Sequence, residues 1–382
     1  MVTATPIQEI ENTYGQSIWM DNLSRDIISS GELAQLIETR GILGITSNPA
    51  IFEKAIAGNQ IYDEQITAGI KAEKSVDKIY EDLVFKDIRD ACDVFLPVYE
   101  KTNGLDGYVS VEVPPTIAKD TASTISEAQR YYKAIDRPNV MIKIPGTPEG
   151  LPAVEATIAA GINVNVTLLF SVESYVDTAW AYIRGLEKLA DSGGDVSKIA
   201  SVASFFLSRI DTNVDNRLDA KIKSGVGSDT GAKLIGLKGK VAIANAKIAY
   251  QKYKEISGSE RWQALAAKGA KVQRLLWAST GTKNPEYSDV MYVDYLVGTD
   301  TVNTLPPKTI EACADHCDPA NRIESNIDEA YQVIGSLEDD DVAIALAEVM
   351  SELLEEGIDK FIKPFESLMA SLEAKIKQLA TV

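Results

Sequence analysis

A parallel (β/α)8 barrel with additional helices, including a C-terminal helical tail, is the fold this sequence predicts, and three observations predict it. Eight short β-rich runs alternate with longer segments of helical periodicity, the order expected of parallel βαβ units closed on themselves. No GxGxxG turn follows the first run, which counts against the rival doubly wound open sheet. Polar residues recur inside the strand runs, where a parallel sheet covered on both faces is normally apolar throughout.

The elements follow in order. SIWMDNL (17–23) is the first strand; the helical ELAQLIETR and a second strand, GILGITSNP (41–49), come next. Two helical stretches are expected over about 50–101, then the strand GYVSVEV (107–113), a helix near 120–135 and the strand VMIKIPG (140–146). After a short helix, GINVNVTLLF (161–170) leads into a helix near 173–190, and IASVASFF (199–206) into a long helical region reaching about 270. QRLLWAS (273–279) and DTVNTLP (300–306) complete the series. The chain is expected to be a single domain over 1–382, with the barrel at about 15–310 and C-terminal helices over about 311–382. The Gly-, Lys- and Ser-rich stretch 222–240 matches no GxxxxGK[ST] loop and is expected to be a solvent-exposed insertion. The acidic run 338–341 precedes an apolar-periodic segment and is expected to cap a helix; Pro364 is expected to kink or restart the terminal helix.

Composition narrows the function classes. At 45% hydrophobic and 25% charged residues the chain is ordinary for a globular protein. Its net charge of −18 argues against nucleic acid or an anionic membrane as partner, though not against a small anion in a locally basic pocket. No apolar run is long enough for a membrane span, and the N-terminal segment lacks the pattern of a secretory signal. Cys92, Cys313 and Cys317 are too few for a disulfide framework, so a cytoplasmic location is expected. With one histidine, His316, any acid–base chemistry must rest on Lys, Asp and Glu. Cys313, His316 and Cys317 share a helical face, but they lack a fourth ligand and fit no standard zinc spacing; no metal is expected there.

Period-two alternation assigns the polar strand residues to faces. Trp19 and Asp21 share one, as do Thr46 with Asn48, Ser110 with Glu112, and Ser204 with Phe206. Asn163, Asn165 and Thr167 line one side of their strand, Lys143 points opposite Ile142 and Ile144, and Ser279 ends its strand. A lysine within such a strand has two readings. It is one half of a structural ion pair with Asp21 or Glu112, or it is a nucleophilic amine, since desolvation weakens a lysine's hold on its proton. Most of these groups come late in their strands, where barrel active sites lie. Together they read as a Schiff-base site.

These same segments carry a resemblance. GITSNPAIF (44–52), VMIKIPGTPEGLPAV (140–154), INVNVTLLFS (162–171) and RLLWASTGTKNPEYSDVMYVDYLVGTDTVNTLP (274–306) resemble the class I transaldolases, in particular their longer bacterial branch. The resemblance implies a cofactor-free transferase of the pentose phosphate pathway, a monomer or homodimer acting on phosphorylated sugars. It implies Lys143 as the Schiff-base nucleophile, Glu112 as a proton relay acting with a water that Thr167 orients, and Asp21 as the acid–base group at the sugar C4 hydroxyl. Asn48 and Asn165 would bond substrate hydroxyls and the intermediate, and Ser204 would contact the three-carbon unit. Arg209 and Ser279 would hold the phosphate, with Lys283 as a further cation. Phe206 stands where a related aldolase group carries a Tyr. The sequence departs from the better-known pattern at VPP after Glu112 and at STGTKN (279–284). A dihydroxyacetone-releasing aldolase on the same barrel, or a non-catalytic sugar-phosphate-binding protein, are the alternatives.

Overall fold

The computed structural model of the chain describes residues 5–380. Eight parallel strands close into a barrel in strict chain order. They are β1 (Gln16–Asp21), β2 (Ile45–Thr46), β3 (Val109–Glu112), β4 (Val140–Pro145), β5 (Val164–Leu169), β6 (Ser201–Phe206), β7 (Arg274–Ala278) and β8 (Thr301–Leu305). Seven lie inside the runs the sequence predicts for them, and β1 begins one residue before its predicted run, at Gln16. Closure pairs β8 with β1 along five residues, from Gln16 with Thr301 to Met20 with Leu305. The seam is uneven. β2 meets β3 through a single pair, Ile45 with Val109, and meets β1 through two.

The N-terminal end of the barrel is sealed by side chains. The Asp106 carboxylate accepts from Ser17 Oγ at 2.7 Å, Trp19 Nε1 at 2.9 Å and Arg274 Nη2 at 2.9 Å. All four residues are buried, so this ion pair has the full complement of bonds that a desolvated pair requires. Trp19 fits because Gly44 is opposite; a Cβ there would stand 2.6 Å from the indole. The alternation that puts Trp19 and Asp21 on one side of β1 therefore sends the indole to the floor and the carboxyl to the mouth.

Helices depart from expectation at several points. The region 50–101 holds three main helices, Pro49–Ile56, Asp63–Lys71 and Val76–Lys101, separated where Gly58 and Glu73 adopt left-handed backbone. The stretch 222–240 is not simply an exposed insertion. It contains the helix Ser228–Leu237, which buries Leu234 and Leu237. The acidic run 338–341 does not cap the final helix, which begins only at Leu346. Asp339 and Asp341 instead take Lys233 between them, at 2.8 and 2.5 Å. Pro364 does not restart the final helix, which runs unbroken from Leu346 to Leu379. Phe361 and Leu368 are buried on either side of it, and this packing carries the helix through the missing backbone bond.

That final helix positions the site. It packs on the helices Pro49–Ile56, Val76–Lys101 and Ser208–Lys223 and on β5, and so lies over the C-terminal mouth of the barrel.

Candidate active site

Lys143, in β4, has Glu112 of β3 as one Cα partner and Asn165 of β5 as the other. All three side chains are buried. Lys143 Nζ donates to the carbonyl oxygen of Ser47 at 3.1 Å and lies 4.0 Å from Glu112 Oε2. The Phe361 ring, from the final helix, covers it with its centroid 5.6 Å from Nζ. An ion pair kept for structure closes to a hydrogen bond and satisfies its remaining lone pairs, because desolvation otherwise costs several kcal/mol per ion (an order of magnitude). This one does neither. Among the described residues, Glu112 Oε1 and Oε2 have no hydrogen-bond partner. Burial pushes the Glu112 carboxyl up to about 7, against the lowering influence of Lys143 and Arg209. A carboxyl so placed can give or take a proton near neutrality.

Asp21, at the end of β1, accepts from Thr46 Oγ1 at 2.8 Å. Thr46 Oγ1 also lies 2.6 Å from Thr304 Oγ1. A threonine hydroxyl has one proton, so with Thr46 donating to Asp21, Thr304 supplies the second bond. Burial raises the Asp21 carboxyl, opposed by Lys143, Thr46, Arg209 and Lys283 in that order.

On the other side of Lys143, Asn165 is locked. Its Nδ2 donates to Ser110 Oγ at 3.0 Å and its Oδ1 accepts from Ser204 Oγ at 2.7 Å. This leaves one lone pair of the amide oxygen and one Nδ2 hydrogen. Thr167 is buried and its hydroxyl has no partner among the described residues. The residue after it, Leu168, adopts φ +61° where the β5–β6 register shifts, an expensive conformation for a side chain without a polar group to support it. Asn48 starts the helix Pro49–Ile56, its Oδ1 accepting from Ile51 N at 3.1 Å. Its NH2 group is the donor that capping leaves over.

The cation for an anionic group is Arg209, in the first turn of the helix Ser208–Lys223. Its guanidinium lies over the ring of Phe206, 5.1 Å from the centroid, and 6.0 Å from that of Phe361. Nη1 is buried without a partner among the described residues, a state in which a bound anion is strongly favoured. Ser279 adopts φ +55° just after β7, and its Oγ lies 2.9 Å from Ser208 Oγ, beside Arg209 in sequence. Lys283 is exposed, with Nζ near Gly281; of the eleven residues singled out by sequence it lies farthest towards solvent. Phe206 packs on Phe170, centroids 5.3 Å apart, and has no proton to donate.

Sequence reasoning missed Phe361, Thr304 and the Ser47 carbonyl. Thr304 carries a signal in the alternation of its strand. Phe361 carries none, because helical periodicity does not reveal which face meets the barrel mouth. Of the CADHC segment, Cys313 and Cys317 are buried free thiols, while exposed His316 stands between Asp289 at 2.9 Å and Asp315 at 3.1 Å.

Comparison with known proteins bears on this geometry. A family model described as Transaldolase/Fructose-6-phosphate aldolase matches residues 18–372. The chain is 70% identical over 374 residues to a protein named Transaldolase from Trichodesmium erythraeum, covering 98% of both chains. It is 69% identical over 370 residues to Transaldolase 2 of a Nostoc species, covering 97% of both. At greater distance it is 46% identical over 379 residues to Transaldolase of Saccharopolyspora erythraea, covering 99% of this chain and all of the relative.

Proposed function

Since the chain belongs to the transaldolase/fructose-6-phosphate aldolase family and is a transferase of the transaldolase type, we propose that it moves a dihydroxyacetone unit between phosphorylated sugars through a Schiff base on Lys143. The observation that carries this reading is the buried Lys143–Glu112 pair, 4.0 Å apart, whose carboxylate oxygens have no hydrogen-bond partner among the described residues.

The amine of Lys143 attacks the C2 ketone of sedoheptulose 7-phosphate or fructose 6-phosphate. Glu112, through a water oriented by Thr167, gives the proton with which the carbinolamine loses water. Asp21 then takes the C4 hydroxyl proton as the C3–C4 bond breaks, and the iminium receives the electron pair. An aldose phosphate leaves. The retained enamine attacks glyceraldehyde 3-phosphate or erythrose 4-phosphate, and hydrolysis reverses the first steps. The imine is itself the electron sink, so these steps call on no metal or organic cofactor. Asn48, Asn165 and Ser204 hold the hydroxyls, and Arg209 with Ser279 and Lys283 holds the phosphate. Phe206, which cannot pass a proton to the enamine, favours transfer over release of free dihydroxyacetone. No described helix is long and apolar enough to cross a membrane. The free cysteines suit a reducing cytoplasm, where the protein works as a monomer or homodimer.

Borohydride reduction in the presence of fructose 6-phosphate, followed by peptide mass mapping, tests the proposal. A three-carbon adduct on the Lys143 peptide, lost in Lys143→Ala, is expected. A folded protein that turns over substrate yet gives no such adduct would overturn the Schiff base.

A further inference from the structure

A cavity of about 570 Å³ that none of the candidate site residues lines is within the range of small-ligand sites. Lys238, Lys240, Lys247, Tyr287, Met291 and Asn326 line it, with two acids, Glu286 and Glu329. Lys238 is taken by Asp219 at 2.8 Å, which leaves Lys240 and Lys247 as the cations that face the cavity. Its most telling member is Lys247. Only 6% exposed, it sits within the helix Val241–Ser257 with Nζ donating to the Ser325 carbonyl at 2.7 Å. Among the described residues it has no ion-pair partner. A buried ammonium with one carbonyl acceptor is poorly compensated. Lys240, seven residues earlier, is held only loosely, 3.9 Å from Glu329.

Backbone adds to the same field. The helices Val241–Ser257 and Ile327–Ser336 both begin at the cavity; the Asp211 carboxylate takes the Ala242 N–H of the first at 2.8 Å, whereas the second starts after Asn326 with no side-chain cap. The first-turn N–H groups and the dipole of Ile327–Ser336 favour an anion. The Tyr287 ring is fixed in place: its hydroxyl donates to Asp215 at 2.6 Å, and a Cβ on Gly239 would meet the ring at 2.8 Å.

We propose that this cavity is a second anion site, binding a small phosphate-bearing molecule with its phosphate at Lys240 and Lys247 and the rest of it on Tyr287 and Met291. Nothing in the transfer chemistry uses these residues.

Calorimetric titration with inorganic phosphate and with adenosine monophosphate tests this, performed in an Arg209→Ala background so that the barrel mouth does not contribute. Saturable binding near one equivalent is expected to survive there, and to weaken about tenfold or more in Lys240→Ala and in Lys247→Met, as loss of a charge-assisted bond implies. Should Lys247→Met fail to fold, the exposed Lys240→Ala decides alone. Tighter binding of the nucleotide than of phosphate assigns the tyrosine floor to a base; equal binding confines recognition to the phosphate. No saturable binding in the Arg209→Ala protein, or binding indifferent to Lys240→Ala, overturns the site.

Discussion

Glu112 shows how one residue's surroundings set what it can do. Its carboxyl is raised to about 7 chiefly by burial, with Lys143 pulling the other way. Glu112→Gln keeps the shape and removes the titration. The variant is expected to lose kcat by roughly 10²–10⁴-fold, the usual share of a positioned proton donor, and its pH–rate profile is expected to lose the limb near neutrality. An unchanged limb would assign that titration to another group. Sequence alternation placed Glu112, Lys143 and Asn165 on one face, since period two is a property of any strand. It could not foresee that Asn165 and Ser204 bind one another at 2.7 Å, because that bond depends on how neighbouring strands stagger.

At the scale of elements, the final helix and the helix Ser208–Lys223 control the site from outside the barrel. Phe361 is 4% exposed and covers Lys143. Phe361→Ala is expected to lower stability by about 3–5 kcal/mol, as for other buried aromatics, and to increase the release of dihydroxyacetone relative to its transfer, because water reaches the intermediate. Urea melts and product analysis check the two effects separately. The helix Ser208–Lys223, which carries Arg209, is anchored by Asp211, whose carboxyl accepts from Tyr292 Oη at 2.7 Å and Ala242 N at 2.8 Å. Burial raises Asp211 to about 7. The folded state therefore holds its proton where the unfolded chain has released it, and stability falls as pH rises from about 4 towards 7. Asp211→Asn keeps an acceptor oxygen and removes this slope; melting temperatures across that range are expected to decline less steeply than in the unaltered protein. The strands were legible because eight β-rich runs stand out against helical spacing. The number of helices before β3 was not, since left-handed breaks at Gly58 and Glu73 sit within one nearly continuous polar–apolar pattern. Nor was the unbroken passage through Pro364, which depends on what Phe361 and Leu368 pack against.

The whole molecule is a closed ring of strands, and a ring is only as secure as its thinnest member. β1 and β8 share five pairs, whereas β2 shares one with β3, and two backbone bonds, Ile45 N to the Tyr108 carbonyl and Gly107 N to the Leu43 carbonyl, join the two segments. Just beyond β2 lies Ser47, whose carbonyl anchors Lys143, and then the helix Pro49–Ile56, against which the final helix packs. Elements with few backbone bonds open locally at a fraction of the global free energy. Heating should therefore displace the Ser47 carbonyl before the barrel as a whole gives way. Activity measured at each temperature is expected to fall a few degrees below the midpoint seen by circular dichroism, and to return on cooling; coincident curves would contradict this. Such a protein has a working ceiling lower than its melting point: it stops while still folded, and resumes without having to refold.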